Sequence, residues 1–376
     1  MTILRKLSRA NVPLLILFLL ISFLTTNPSI ARADKIDLEI RSVDVKATQV
    51  EGRRGPALAV LSDGRLLLGG GKLGDTLFLF AEGLLREIGK VSRQKERFRD
   101  GRFGPTDIAV LKEKSDSAEI LISYPQLNKK RNCVRLVVYR YVVEWLNEKV
   151  EKEERWFLGK PCVPVTAVQH AAGRMEVIDS ESVYLTTGDF GFSRIGDKSA
   201  RGWLGGVFKV RRDSVQQVSF GHRNPQGIVL SGKSLYISEH GPRGGDELNL
   251  IKEGRDYGWP FVTYGQAYGG GDYVKPRNPG THEGFEKPLH YWVPSVAPTD
   301  LAKLPKDQGW EDLAGNLVMG TLAEESLVFI ELVKPRVVGK VQKSFIGERI
   351  RDLEINPEGE VVASTDSGFL LFISKR

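Results

Sequence analysis

Ser62-Asp63-Gly64-Arg65-Leu66-Leu67-Leu68, followed after a glycine-rich turn by Leu77 to Phe80, is the stretch that decides the fold. An Asp-Gly turn opens a run of leucines too short for a helix, and a second apolar run follows at once. That reads as a β-hairpin. The unit recurs with first strands at Glu119 to Ile122, Val183 to Leu185, Leu235 to Ile237, Leu317 to Met319 and Val361 to Ala363. Their partners are Leu136 to Tyr139, Val207 to Val210, Leu248 to Ile251, Leu327 to Leu332 and Phe369 to Ile373. Gly232-Lys233 and Pro357-Glu358-Gly359 repeat the turn signal.

Six hairpins suit a repeat of four-stranded units, and the expected fold is all-β, a six-bladed β-propeller of antiparallel sheets. A pair of two-sheet sandwiches is the rival, but it gives no reason for six copies of one hairpin. The last blade is expected to be completed by a strand from near Asp37 to Val45. The widest gap between hairpins places a long inserted loop within Tyr264 to Trp292, where Gly269-Gly270-Gly271, Pro276 and Pro279 argue against a further domain. Val137 to Glu154 reads as strand with a charged hairpin turn rather than as a short helix.

Composition narrows the function classes. The chain is 41% apolar and 27% charged, a globular balance. Its formal charge of +7 owes much to one end: residues 1–33 hold Arg5, Lys6, Arg9 and Arg32 and no acid. Taking those four from 54 basic residues leaves 50 against 47 acidic ones, a charge of +3. A nucleic-acid partner needs a concentrated basic patch, and that class is set aside. Three positive charges before Ala10, an apolar run from Val12 to Leu24, and Ala31-Arg32-Ala33 read as a secretory signal peptide over 1–33. The expected organisation is that leader and a single propeller domain over 34–376, exported to the periplasm or secreted, with no membrane span after cleavage. In an oxidising compartment Cys133 and Cys162 form a disulfide or remain two buried thiols.

The densest polar text lies in Gly221-His-Arg-Asn-Pro-Gln-Gly227, Glu239-His-Gly-Pro-Arg-Gly-Gly-Asp-Glu-Leu-Asn249 and Tyr257-Gly-Trp-Pro260. Glycines and prolines fix loops between strands where Arg223, Asn224, His240, Arg243, Asp246 and Glu247 can converge, the usual setting of a ligand site. Taken one at a time, these residues read equally well as turn closers and rim ion pairs.

This block resembles the soluble, pyrroloquinoline quinone (PQQ)-dependent sugar dehydrogenases of the glucose/sorbosone and aldose sugar dehydrogenase type, a family of six-bladed propellers. The resemblance continues in Ala171-Ala172-Gly173-Arg174, Thr186-Thr187-Gly188-Asp189, Tyr291-Trp292-Val293-Pro294, Gly315-Asn316-Leu317 and Arg349-Ile350-Arg351-Asp352. It implies oxidation of an aldose to its lactone, with hydride passing to PQQ, Ca²⁺ as a second cofactor and an external electron acceptor as partner. By the same resemblance His170 is the general base, a role suited to imidazole near neutrality. Arg223 and Asn224 face the quinone oxygens, with Gln226 adding an amide, and the guanidinium suits a carbonyl that gains negative charge. Gly241 and Pro242 offer carbonyls to the active-site calcium. Glu247 and the main chain at Tyr257 match a second calcium position, with Asp272 in the adjoining loop as a further oxygen donor. Arg349 and Arg351 alternate on one strand and match the pair that grips the cofactor's carboxylates; a solvated pair beside Asp352 and Glu354 is the ordinary alternative.

Three positions depart from the family pattern. Gln169 stands where some members carry an acid beside the base. Ala323 replaces a common lysine, removing one charge-assisted contact to an anion. Phe190 replaces an amide-bearing or charged residue and cannot hydrogen-bond. The last two are what a second reading rests on, a non-catalytic exported propeller that binds a carbohydrate or protein through its loop face.

Overall fold

The computed structural model describes residues 36–91, 104–167, 170–269 and 274–376. The expected leader, Gln169 and Asp272 lie outside them. Six antiparallel sheets form the blades of a propeller. Their inner strands are Ala57–Val60, Asp107–Glu113, Ala172–Asp179, Pro225–Ser231, Pro298–Lys303 and Ile350–Ile355, for blades 1 to 6 in chain order, and each touches the next in a closed ring. The second strands are Leu66–Gly70, Ser117–Asn128, Ser182–Thr187, Ser234–Glu239, Leu317–Thr321 and Val361–Thr365. These contain the first strand of each of the six expected hairpins. Blade 6 is completed by Leu38–Asp44, which pairs antiparallel with Phe369–Lys375 and ties the two ends of the propeller together.

The leucine run shows why the sequence makes this fold. Leu66 and Leu68 pack with blade 6, while Leu67 turns to blade 2, and all three are fully buried. Alternation along a strand sends neighbours to opposite faces, so a continuous apolar run requires cover on both. A radial array supplies it, with an apolar core between each pair of adjacent blades.

One expectation changes in detail. The departure from blade geometry in blade 4 begins at Ile251, earlier than Tyr264, and ends before His290–Trp292, which returns as the blade's fourth strand on Asp246–Leu250. There the Tyr257 hydroxyl donates to the Leu250 carbonyl and accepts the Lys252 amide, tying the departing segment to the end of the strand. In blade 2, Cys133–Glu144 and Lys149–Leu158 are paired strands, as expected. Cys133 and Cys162 are disulfide-bonded with a Cα separation of 5.5 Å, where the short strand Val163–Pro164 also pairs with the segment at Cys133.

The blades meet at one side chain. Arg174, on the inner strand of blade 3 and 2% exposed, places Nη1 2.6 Å from Asp352 and 3.6 Å from both Asp107 and Asp300. Its Nε donates to the Gln226 carbonyl and its Nη2 to the Arg351 carbonyl, each at 2.9 Å. Asp352 in turn accepts the Leu58 amide at 2.8 Å. The two side chains therefore reach the inner strands of all six blades. Burial raises the Asp107 pKa to about 8, with Arg174 opposing the shift and Asp352 adding to it. Further along the axis, burial lifts Glu176 to about 7 against the pull of the Leu230 amide, which its carboxyl accepts at 3.0 Å.

Removing the guanidinium leaves buried carboxylates unpaired. Arg174→Leu is expected to lose about 3–5 kcal/mol in urea unfolding; a wild-type midpoint would mean that the axis is held by the strands alone. Glu176 gives a pH test. Its folded pKa lies above the ordinary 4.5, so its contribution is complete below that pH and is lost as pH rises through about 7. Glu176→Gln should flatten that segment of the stability–pH curve, gaining on the order of 2 kcal/mol over wild type at pH 8. Parallel curves for the two proteins would refute the shift.

Candidate active site

In antiparallel blades the start of the first strand and the end of the second lie on one face, and the polar residues cluster there. His170 precedes the inner strand of blade 3, Asp189 follows the second strand, and Arg223 and Asn224 precede the inner strand of blade 4. His240 and Gly241 follow the second strand of blade 4, and Arg351 lies on the inner strand of blade 6.

His170 adopts a left-handed backbone, φ +47°, and its carbonyl accepts the Phe190 amide at 3.3 Å. The same carbonyl lies against Gly188, where a Cβ would collide with it. Glycine is required there, and strain of this kind persists only where the surroundings over-determine it. The His170 Nδ1 lies 2.8 Å from Asp189 Oδ1, and its Nε2 lies 3.3 Å from Arg223 Nη2. A guanidinium can only donate, so Nε2 is the acceptor and the proton sits on Nδ1, donated to Asp189. The second Asp189 oxygen accepts the Trp259 indole N–H at 2.8 Å, and the first also accepts the Gly191 amide at 2.7 Å. Burial would raise the Asp189 pKa, but His170, Arg223 and Gly191 outweigh it and hold the group below the usual carboxylate value.

Arg223 donates from Nη1 to the carbonyls of His240, 3.2 Å, and Gly241, 2.6 Å. Among the described residues its Nε is buried without a hydrogen-bond partner. The Gly241 amide is held by Asp246 at 3.0 Å, and the other Asp246 oxygen accepts from Ser295, Val296 and Ala297. This fixes the peptide plane that carries the His240 carbonyl, while Arg223 holds the Gly241 carbonyl itself. Gln226 donates to Asn224 at 2.8 Å. His240 donates to the Pro298 carbonyl at 2.6 Å, and burial drops its pKa to about 4, leaving it neutral.

These residues border two spaces. A cavity of about 180 Å³ is lined by Arg54, Thr106, His170, Asn224, Gln226, His240, Leu322 and Arg351 among others. Arg223 and Gly241 instead border a space of about 20 Å³ that also touches Glu239, Glu247, Tyr257 and His282. Arg349 and Arg351 converge as expected, but on Asp366, which Arg351 grips through two bonds of 2.8 and 2.9 Å. The alternative of pairing with Asp352 and Glu354 does not occur, because Asp352 is committed to Arg174. Phe190 is 1% exposed and packs in the core between blades 2 and 3, so its inability to hydrogen-bond costs the cavity nothing. Ala323 is exposed beside the lining residue Leu322. Tyr291 stacks on Tyr264 at 3.9 Å, and Trp292 packs in the core between blades 4 and 5.

The cavity suits an anionic cofactor: amides, imidazoles and guanidiniums line it, and on its wall Arg54 Nη1 is buried with no hydrogen-bond partner among the described residues. A calcium ion fits less readily. Among the described residues no three His, Cys, Asp or Glu side chains are grouped to hold a metal. The Gly241 and Pro242 carbonyls supply two of the six to eight oxygens calcium takes. At Glu247 one oxygen accepts from His282 at 2.7 Å and the other from Asn249 at 3.0 Å, so an ion there has to displace the imidazole. A buried network missed by sequence reasoning continues through Asn249 to Glu239, which also binds His222 and the Arg223 amide.

The model of the glucose/sorbosone dehydrogenase family matches residues 54–371. Among curated proteins, the chain is 35% identical over 167 residues to aldose sugar dehydrogenase YliI of Escherichia coli, covering 42% of this chain and 43% of that one. It is 27% identical over 201 residues to quinoprotein glucose dehydrogenase B of Acinetobacter calcoaceticus, covering 44% and 41%. The matched stretch thus spans less than half the length of these two relatives. The crystal structure of the soluble aldose sugar dehydrogenase of Escherichia coli in its apo-form superposes with a TM-score of 0.74 at 23% identity, over 90% of this chain and 100% of that one. It shares the propeller fold.

The tautomer assignment is open to imidazole nitrogen NMR. Near neutral pH the His170 Nδ1 should carry the proton and Nε2 should show the shift of an unprotonated nitrogen, and Asp189→Asn should move the balance toward Nε2–H. A wild-type ring protonated at Nε2 would contradict the geometry.

Proposed function

The chain belongs to the glucose/sorbosone dehydrogenase family, and from that premise we propose that it is a quinoprotein sugar dehydrogenase that oxidises an aldose to its lactone. The observation that carries this reading is the Asp189–His170–Arg223 array at the wall of a cation-lined cavity. PQQ, when bound, supplies the two-electron carrier that takes hydride from the sugar's anomeric carbon. His170 removes the anomeric hydroxyl proton at Nε2, where the hydroxyl takes the place of the Arg223 donor, and Asp189 stabilises the imidazolium that forms. Arg223 has donors left to polarise a carbonyl and, being always charged, does not compete for the proton. Asn224 and Gln226 present amides, and Arg351, with Arg349 behind it, meets a carboxylate.

We assign calcium to the carbonyls of Gly241 and Pro242, where it has to displace the Arg223 guanidinium from the Gly241 carbonyl and take its remaining ligands from outside the chain. The second position at Glu247 and Tyr257 is not part of this reading, because His282 holds the carboxylate. The reading also includes export, which the leader motif supports, and an external acceptor that removes the electrons. Among the described residues no helix is long and apolar enough to cross a membrane.

The test is dye reduction by the purified protein with PQQ, Ca²⁺ and a panel of aldoses. His170→Gln should lower turnover at saturating PQQ by roughly 10²–10⁴-fold while leaving the PQQ dissociation constant within about threefold of wild type. No saturable PQQ binding by wild type would favour the non-catalytic propeller that binds through its loop face. Full activity in His170→Gln would remove His170 from the chemistry.

A further inference from the structure

Arg54 has no place in the mechanism so far and, among the described residues, no counterion of its own. It precedes the inner strand of blade 1, where Val50 and Arg54 form an isolated β-bridge that fixes its backbone. Its side chain borders the 180 Å³ cavity with Arg351, Asn224 and His170, and its Nη1 is buried without a hydrogen-bond partner among the described residues. Two carboxylates attract it, Asp366 and Asp352, but both are committed. Asp366 is taken by Arg349, Arg351 and the Gly55 amide, and Asp352 by Arg174 and the Leu58 amide. Arg351 and Arg174 repel it, and these effects, with burial foremost, lower its pKa to about 9. A buried guanidinium held against two others is costly unless an anion compensates it. Arginine matches planar carboxylates through paired N–H donors.

We propose that Arg54 is an anion-binding residue of the cofactor cavity, gripping a carboxylate of the planar polycarboxylate bound there and supplying the positive charge that Ala323 does not. The inference rests on the quinone reading for the identity of the ligand, but not for its charge. Ala323 is exposed at the rim, whereas Arg54 approaches from the blade 1 side of the cavity beside Arg351. The guanidinium is desolvated there, where a charge-assisted hydrogen bond is stronger.

Calorimetric titration of the full protein with PQQ, and separately with benzene-1,2,4-tricarboxylate as a probe without a quinone, tests this on wild type, Arg54→Gln and Arg54→Lys. Arg54→Gln should weaken PQQ at least tenfold and Arg54→Lys by less, since the lysine keeps the charge and loses the fork. The ligand-free melting temperature supplies the second readout. Arg54→Gln should melt at or above wild type, because it removes an uncompensated buried charge, whereas a structural role for Arg54 would lower it. Equal PQQ affinity in wild type and either folded variant overturns the inference and leaves the quinone reading standing. Arg54-dependent binding of the tricarboxylate without PQQ binding removes the quinone reading and keeps Arg54 as an anion site. Binding of neither probe to wild type overturns both.

Discussion

The ion cluster at the propeller axis is the constraint on which the other contacts depend. Arg174 draws carboxylates or carbonyls from the inner strands of blades 2, 4, 5 and 6, and Asp352 extends the cluster to blade 1. Apolar cores between blades supply the bulk of the stabilisation, but they are non-directional and set no register. The axis does. The hub residues of blades 2, 3, 4 and 6 lie close in sequence to residues of the cavity: Thr106 beside Asp107, Arg351 beside Asp352, Asn224 and Gln226 at the Gln226 carbonyl, and His170 at the head of Arg174's own strand. Fixing the hub therefore fixes where the cavity's polar groups stand. A site held in this way needs little reorganisation when charge develops within it.

Two acid–histidine pairs stand close together and differ in what faces the second nitrogen. In the Glu239–His222 pair, His222 is fully buried and its Nε2 meets the Ser219 hydroxyl at 2.9 Å, which closes the pair on itself. In the Asp189–His170 pair, Nε2 faces Arg223 and the cavity. The first can only brace the Arg223 backbone, through the Glu239 oxygen that accepts its amide. The second opens to the cavity, where a substrate hydroxyl can take the place of the Arg223 donor at Nε2. The same residue types thus serve structure in one loop and chemistry in the next, and it is their surroundings that separate the roles.

The blades were legible because each depends on local signals, a turn and two apolar runs, and the six recur. The loop block from Gly221 to Tyr257 was legible as a site because rigid polar loops are unusual between strands. The resemblance points to His170, but with Gln169 in place of a neighbouring acid it leaves the ring's orientation open; the structure supplies Asp189, which follows a different strand and is held by Trp259. The quoted Thr-Gly-Asp run held the clue, since an acid directly after a buried strand needs partners. Asp366, His282 and Arg54 were missed because each acquires its meaning across a large sequence separation. Arg351 and Asp366 are brought together by a blade hairpin, and Arg54 is recognised only by the lack of a counterion. Charge counting along a chain cannot find such a vacancy.

The account's central claim is that the cavity between His170 and Arg351 is a cofactor site. A crystal structure of the protein grown with PQQ and Ca²⁺ tests it most directly. The account predicts planar ligand density in that cavity, with a carboxylate on Arg351 and a reactive carbonyl on the side of His170 and Arg223. An empty cavity at saturating PQQ, or a ligand bound elsewhere on the propeller, would contradict it.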